Sequence, residues 1–238
     1  MTLEARLPEL AGGWARQSHE ISSDLEVELF VPAAPDELLD DDGVVARNEF
    51  NDSMPYWAWL WDSAPTMARR IAAEPPASGA RILELGAGLG LVGIAAALAT
   101  RGPAELTLSD HDPLSLAVLP LNAALNGLDQ AQTWNLDWRE LDRSDPGQFD
   151  LVVGCDVAYE ARLQEPLLDV VDRYMGPSGI ALFADPGRTR LPGFLRRARA
   201  RGFVVETEDS EGRPAEAAAG AFRLVRIARH PEHLSGTR

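Results

Sequence analysis

A chain of 238 residues that is 45% hydrophobic can bury one sizeable core, and its length excludes two full domains. Its 22 basic residues, all arginine, face 37 acidic ones; a net charge of −15 repels phosphate backbones, which argues against nucleic acid and for a cationic partner, although solubility alone is an equal explanation. One cysteine, Cys155, permits no internal disulfide, and with no secretory leader and no run of ~20 apolar residues the sequence reads as a cytoplasmic protein without a membrane span.

Residues 1–54 read as an N-terminal extension. Within it, DLEVELFVPA alternates polar and apolar residues as a strand or hairpin arm would, DELLDDDG follows as an acidic turn, and the position ahead of an aromatic segment implies a substrate-side cover. Residues 55–230 are more regular. SAPTMARRIAAE predicts a helix with Ser63 as its cap, an early proline and apolar positions at Met67, Ala68 and Ile71. Strand RILEL, a glycine turn and helix LVGIAAALAT come next, then strand ELTLSD and helix PLSLAVLPLNAALNGL. TWNLDW is a third strand, and FDLVVGCD, apolar almost throughout, is a fourth that suits burial on both faces. Helix LQEPLLDVVDRYM, strand GIALFAD, helix PGFLRRARARG and strands FVVETED and FRLVRIAR complete the pattern, with residues 231–238 as a tail. This alternation predicts an α/β, Rossmann-like, doubly wound sheet of seven strands. No helix separates the last two strands, and a parallel crossover needs about a dozen or more residues, usually helical, so the final strand is predicted to be antiparallel.

RILELGAGLG ends an apolar strand in glycines that open a helix. With no Cβ atoms there, bare amides and a helix N-terminus can approach a ligand, which predicts a nucleotide-like group over the strand end. Gly88, Gly90 and Gly93 also satisfy the dinucleotide spacing G-x-G-x-x-G, and Asp110, twenty residues after Gly90, lies where an acid binds a ribose in either cofactor class. Three features weigh against a dinucleotide, and so against an oxidoreductase. Glu84 suits an ammonium group and would repel a pyrophosphate, the terminal hairpin is foreign to a dinucleotide half, and only one nucleotide-binding half is visible.

ELGAGLG, SDHDP, NLDW and CDVAYE resemble the successive motifs of the class I, seven-strand S-adenosylmethionine-dependent methyltransferases. PYWAWLWDSA, DVAYE and ADPGR narrow the resemblance to the protein-lysine methyltransferases that include the enzymes modifying the electron transfer flavoprotein β subunit. It covers roughly residues 55–228. The resemblance implies S-adenosyl-L-methionine as cofactor, S-adenosyl-L-homocysteine as product, and N-methylation of lysine on a protein partner by a monomer. A small-molecule amine as acceptor, or a cofactor-binding interaction protein without catalysis, are the alternatives.

On this resemblance the cofactor lies against Glu84, Gly86, Ala87, Gly88 and Gly90, Asp110 accepts from both ribose hydroxyls, and His111 lies beside the adenosine. Asp137 and Trp138 reach the adenine, with core packing the rival role for Trp138; Cys155 borders the site or is a reduced core thiol. An extended PYWAWLWDSA would set Trp57, Trp59 and Trp61 on one face. Trp61 then touches the cofactor and Tyr56 or Trp57 lines the acceptor channel, where cation–π attraction favours a sulfonium or an ammonium. Asp156 and Tyr159, at the carboxyl end of the buried strand, are the expected catalytic pair that holds the acceptor amine. A carboxylate favours the charged, unreactive amine, so Asp156 is assigned to positioning and proton acceptance while desolvation and the sulfonium lower the amine's pKa. Asp185 in ADPGR binds substrate or makes a turn, and Asn122 and Asn126 read as surface or helix-end residues. Four histidines and one cysteine show no metal-ligand spacing, and no serine sits in a nucleophile elbow.

Overall fold

The structure is a computed structural model that describes residues 2–40, 54–141 and 146–235. Its centre is a seven-stranded sheet made of β3 (Arg81–Leu85), β4 (Glu105–Asp110), β5 (Gln132–Asn135), β6 (Phe149–Cys155), β7 (Met175–Asp185), β8 (Val204–Glu208) and β9 (Arg223–Ala228). The order is β5-β4-β3-β6-β7-β9-β8. Neighbours from β5 to β7 pair in parallel, and β9 runs antiparallel to both β7 and β8, as the sequence predicts. The long loop before β9 works because it is stitched to β8: Ala215 N–H donates to the Thr207 carbonyl oxygen at 2.9 Å, and the Thr207 hydroxyl donates to that of Ala215 at 2.6 Å.

Helices cover both faces, which is why β6 is apolar almost throughout and β3 is buried from Ile82 to Leu85, Glu84 included. Helices α1 (Ser63–Ala73), α2 (Leu91–Ala99) and α3 (Pro113–Leu125) pack into one core cluster, and α4 (Gln164–Tyr174) and α5 (Leu191–Ala200) into the other. The chain leaves β3 for β4 and β5, then returns to its other side as β6. The strand order therefore reverses at β3 and opens a crevice beyond the carboxyl ends, where open α/β sheets bind ligands. A short helix, α6 (Pro231–Ser235), follows β9 with Leu234 buried. No helix among the described residues is long and apolar enough to cross a membrane.

The extension holds a hairpin of β1 (Trp14–Ser22) and the expected β2 (Leu25–Pro32). Strand β1 has no clear alternation to betray it, since most of its residues stay at least partly in solvent. The hairpin lies on α1, α2 and α3. Asn126, which ends α3 as one of the expected roles had it, and Asn122, which is fully buried and not a surface residue, hold it there. Asn122 accepts from Phe30 N–H at 2.7 Å and donates to the Phe30 and Leu89 carbonyl oxygens; Asn126 pairs in the same way with Glu28 N–H and its carbonyl oxygen. Four residues along a helix rise about 6 Å and two along a strand about 6.8 Å, so α3 offers β2 two amides at nearly the spacing of a neighbouring strand. Ser63 is not a cap: it lies inside the first turn of α1, after N-cap Asp62, and its buried hydroxyl has no partner among the described residues. Most of the acidic run after Leu39 lies outside the described residues.

Candidate active site

The crevice holds a cavity of about 330 Å³, within the usual range of roughly 300–1,000 Å³ for small-molecule sites. Its floor is the glycine turn. Gly88, at φ +55°, passes so close to the aromatic segment that a Cβ would stand 3.2 Å from the Trp57 carbonyl oxygen. Three of the turn's amides are nonetheless spoken for. Ala87 N–H donates to the Ser109 carbonyl oxygen, Gly88 N–H to the Asp110 carboxylate and Gly90 N–H to the Ala87 carbonyl oxygen. At these three positions the turn supplies a close-fitting shape, which corrects the expectation of bare amides facing a ligand there.

The N-terminus of α2 is occupied from within. Glu84 is buried, and its Oε2 accepts from Gly93 N–H at 2.8 Å with help from Val92 N–H. Gly93 makes this possible, because a Cβ there would sit 2.6 Å from that oxygen and 2.8 Å from Leu108. Burial, opposed by the amide bonds, pushes the Glu84 carboxyl up to about 8. A protein carboxylate thus already lies where a helix N-terminus would otherwise receive a phosphate.

Asp110 is buried at the end of β4. Its Oδ2 accepts from Gly88 N–H, and its Oδ1 from the amides of His111 at 2.7 Å and Asp112 at 3.0 Å. Those bonds take three of roughly four lone-pair positions, so one remains for a hydroxyl instead of the two that the sequence reading assigns. The His111 ring stands exposed on the rim, while Asp112 caps α3. Asp137 is held by Arg139, whose side chain and amide donate to it and keep its carboxyl below the usual carboxylate range. Trp138 is half-buried: it packs against the second core cluster, the rival role foreseen for it, and also lines the cavity, its ring 3.3 Å from where a Gly86 Cβ would stand.

The aromatic segment is not extended. Tyr56–Ala58 forms a 3-10 turn, which sends the rings apart instead of along one face. Trp57 turns inward against Trp14 of β1, with ring centroids 6.2 Å apart, whereas Tyr56 and Trp61 stay at the mouth, 6.1 Å apart and 44% and 38% exposed. Tyr159 meets Tyr56 edge-on at 6.0 Å, and burial pushes its phenol up to about 12. Asp156 follows β6 at φ +56°, the one left-handed non-glycine among the described residues. Such strain gathers at functional sites, and aspartate tolerates it better than most residues. Its Oδ1 receives both Nε and Nη2 of Arg188, at 3.0 and 2.9 Å, while Oδ2 has no partner among the described residues. The guanidinium carbon of Arg188 lies 5.6 Å from the Trp61 ring centre and 5.3 Å from that of Tyr159. Cys155 lines the cavity beside these groups, and burial holds its thiol well above the ordinary range. Asp185 does not line the cavity. Its Oδ1 accepts from Gly187 and Arg188 amides at 2.7 and 2.6 Å, so it makes the turn that presents Arg188.

A family model described as lysine methyltransferase matches residues 40–192, more than half of the chain. The chain belongs to the lysine methyltransferase family. It is 31% identical over 143 residues to the electron transfer flavoprotein beta subunit lysine methyltransferase of Mus musculus, covering 59% of this chain and 54% of that one. It is 33% identical over 156 residues to the protein N-lysine methyltransferase METTL21A of Danio rerio, covering 63% and 70%. The chain thus spans about half the length of the mouse relative. The ribosomal protein L11 methylase of Lactobacillus delbrueckii subsp. bulgaricus shares the fold, with a TM-score of 0.59 at 18% identity over 90% of this chain and 98% of that one.

Arg188 is the site residue of this lysine methyltransferase family member that sequence reasoning passes over. A signal for it does exist. Strand β6 pairs with β7 so that Cys155 faces Ala184, which brings the ends of CDVAYE and ADPGR together. A buried aspartate just past one strand end calls for a counter-charge, and ADPGR supplies the arginine just past the other.

Proposed function

We propose that this family member transfers methyl groups from S-adenosyl-L-methionine to lysine side chains of a protein partner. Residues 55–230 would form the catalytic domain, with 1–54 as extension and 231–238 as tail. The observation that carries the reading is the buried Glu84 carboxylate at the head of α2. It takes the place a pyrophosphate would need and suits the cofactor's ammonium group. The rest of the cavity fits the same molecule: room over Gly86, Ala87 and Gly88, one open lone pair on Asp110 for the ribose, and His111, Asp137 and Trp138 around the adenine end. The expected Gly90 does not line it but packs toward Leu119, Ile94 and Leu108 and only shapes the turn. When bound, the cofactor supplies an electrophilic methyl group on a sulfonium.

The chain's own residues would align the acceptor. Oδ2 of Asp156 would accept a hydrogen bond from the amine, Tyr159 lines the same cavity, and the aromatic mouth of Tyr56 and Trp61 narrows the entry of water. Neither Asp156 nor Tyr159 forms a covalent intermediate. A net charge of −15 suits a basic partner and not nucleic acid. We place the enzyme in the cytoplasm as a monomer acting away from membranes. The relative's name makes the electron transfer flavoprotein β subunit the first acceptor to test. Incubation of that subunit with methyl-labelled cofactor should yield label recovered as methyllysine, and Asp156→Ala should lose turnover while still binding S-adenosylhomocysteine. Failure to bind S-adenosylhomocysteine by calorimetry refutes the cofactor assignment, and binding without transfer to any protein lysine refutes the acceptor assignment.

A further inference from the structure

The acceptor end poses an electrostatic problem. Methyl transfer needs an amine lone pair: it forms the new C–N bond while the C–S bond breaks and leaves its electron pair on sulfur, and the methylammonium formed later sheds a proton to water. Free lysine, with a pKa near ~10.4, is almost wholly protonated at neutral pH, and a lone carboxylate beside it would hold it so. Here the carboxylate is not alone. Arg188 donates twice to Oδ1 of Asp156, lies over the Trp61 and Tyr159 rings, and is held by a turn that Asp185 fixes through two amide bonds. Oδ2 is left to face an incoming N–H.

We propose that Arg188 is a positioning residue that neutralises Asp156 through Oδ1, turns Oδ2 toward the acceptor, and repels a second cation so that lysine docks as the neutral amine. This rests on the methyltransferase reading above. The other titratable or charged groups facing the pair are Cys155 at the end of β6, Tyr159, Glu160 and its partner Arg162 after it, Asp185 at the end of β7, Tyr56 from the aromatic turn, and Glu84 deeper at β3. Glu84 changes charge near 8 but reports on cofactor binding, so saturating cofactor removes it from the profile.

The test is kcat against pH with the flavoprotein β subunit as acceptor and saturating cofactor, for the wild type, Arg188→Met and Arg188→Lys. The wild-type rate should rise through a value well below ~10.4. In R188M the rise should move up by about one unit, with kcat down about tenfold at pH 7 and recovered at high pH, whereas R188K, which keeps the charge, should stay within about threefold of wild type. A readout without turnover is the 13C shift of a labelled ε-methyl group on the monomethylated subunit bound with S-adenosylhomocysteine, whose titration should move up in R188M. A wild-type rise at or above ~10.4, or equal losses in both variants with no shift in either titration, overturns the proposal even if R188M folds poorly, since the wild-type measurement needs no variant. A wild type that binds cofactor but transfers no methyl group overturns the acceptor reading, and this proposal with it.

Discussion

Glu84 ties cofactor binding to pH in a way that can be worked out from its surroundings. Its carboxyl sits near 8, chiefly because burial disfavours the anion, with the charge of Asp110 adding to the rise and the amides of Val92 and Gly93 opposing it. In the unfolded chain it would titrate near 4.5. Between those values the folded protein holds a proton that the unfolded chain has lost, so stability without ligand falls as pH rises through this window. The slope is about 1.4 kcal/mol per unit, or roughly 3 kcal/mol lost by pH 7. An ammonium placed against Glu84 reverses the preference, because it favours the anion. Binding must then expel the proton, which costs about 2.3 kcal/mol more at pH 6 than at pH 8.

Affinity for S-adenosylhomocysteine should therefore strengthen about fiftyfold from pH 6 to pH 8, then level off, and decline only at the higher pH where the ligand's own ammonium, held charged by its neighbouring carboxylate, titrates. Calorimetry at pH 7 in two buffers of different ionisation enthalpy should reveal release of most of a proton. Glu84→Gln should remove the pH dependence, weaken binding at pH 8 by about thirtyfold or more, and make the ligand-free protein more stable than wild type at that pH. An affinity that stays flat from pH 6 to pH 8 with no proton released would refute the account of Glu84, since that account leaves the proton nowhere else to go.

Two further substitutions probe the scaffold. Gly93→Ala would force a Cβ to 2.6 Å from Glu84 Oε2, so a stability loss of about 1–3 kcal/mol in urea and a weaker grip on S-adenosylhomocysteine are expected; unchanged values for both would mean the third glycine serves neither. Asn122→Ala would strand Phe30 N–H and the Phe30 and Leu89 carbonyl oxygens, at a cost of about 2–4 kcal/mol, and hydrogen exchange should open in β2 before the central sheet; equal protection in both would count against the clamp.

The sheet was legible in the sequence because its signal is dense: β6 is apolar almost throughout, and the helices between strands carry long apolar stripes. Strand β1 escaped because most of its side chains keep contact with water, so it has no alternation to read. The asparagines of α3 escaped for another reason. Their amides bond to main chain 92 and 98 residues away, and no local pattern carries that distance. At the site, residue types and strand-end positions could be read, so Glu84, Asp110, Asp156 and Tyr159 all meet the cavity. Which side-chain bonds are already made could not be read: Asp137 turns to its own near neighbour Arg139 and Asp185 to the amides of its own turn, choices a residue type leaves open, while Asp156 depends on Arg188 from beyond the neighbouring strand.

The recurring device in this site is a charge answered before any ligand arrives. Glu84 is met by the head of α2, Asp110 by three amides, Asp137 by Arg139 and Asp156 by Arg188. A buried anion left bare would cost several kcal/mol or take up a proton, so carboxylates meant to meet a transient cation need a standing partner. The kind of partner then sets what each can still do. Main-chain amides solvate without carrying a full charge, so at Glu84 they leave a carboxyl that keeps its proton near neutral pH until an ammonium displaces it. A guanidinium cancels the charge outright, and the carboxylate it holds keeps its lone pairs but loses its pull on a proton, which is what a site needs when its second substrate must arrive as a free base.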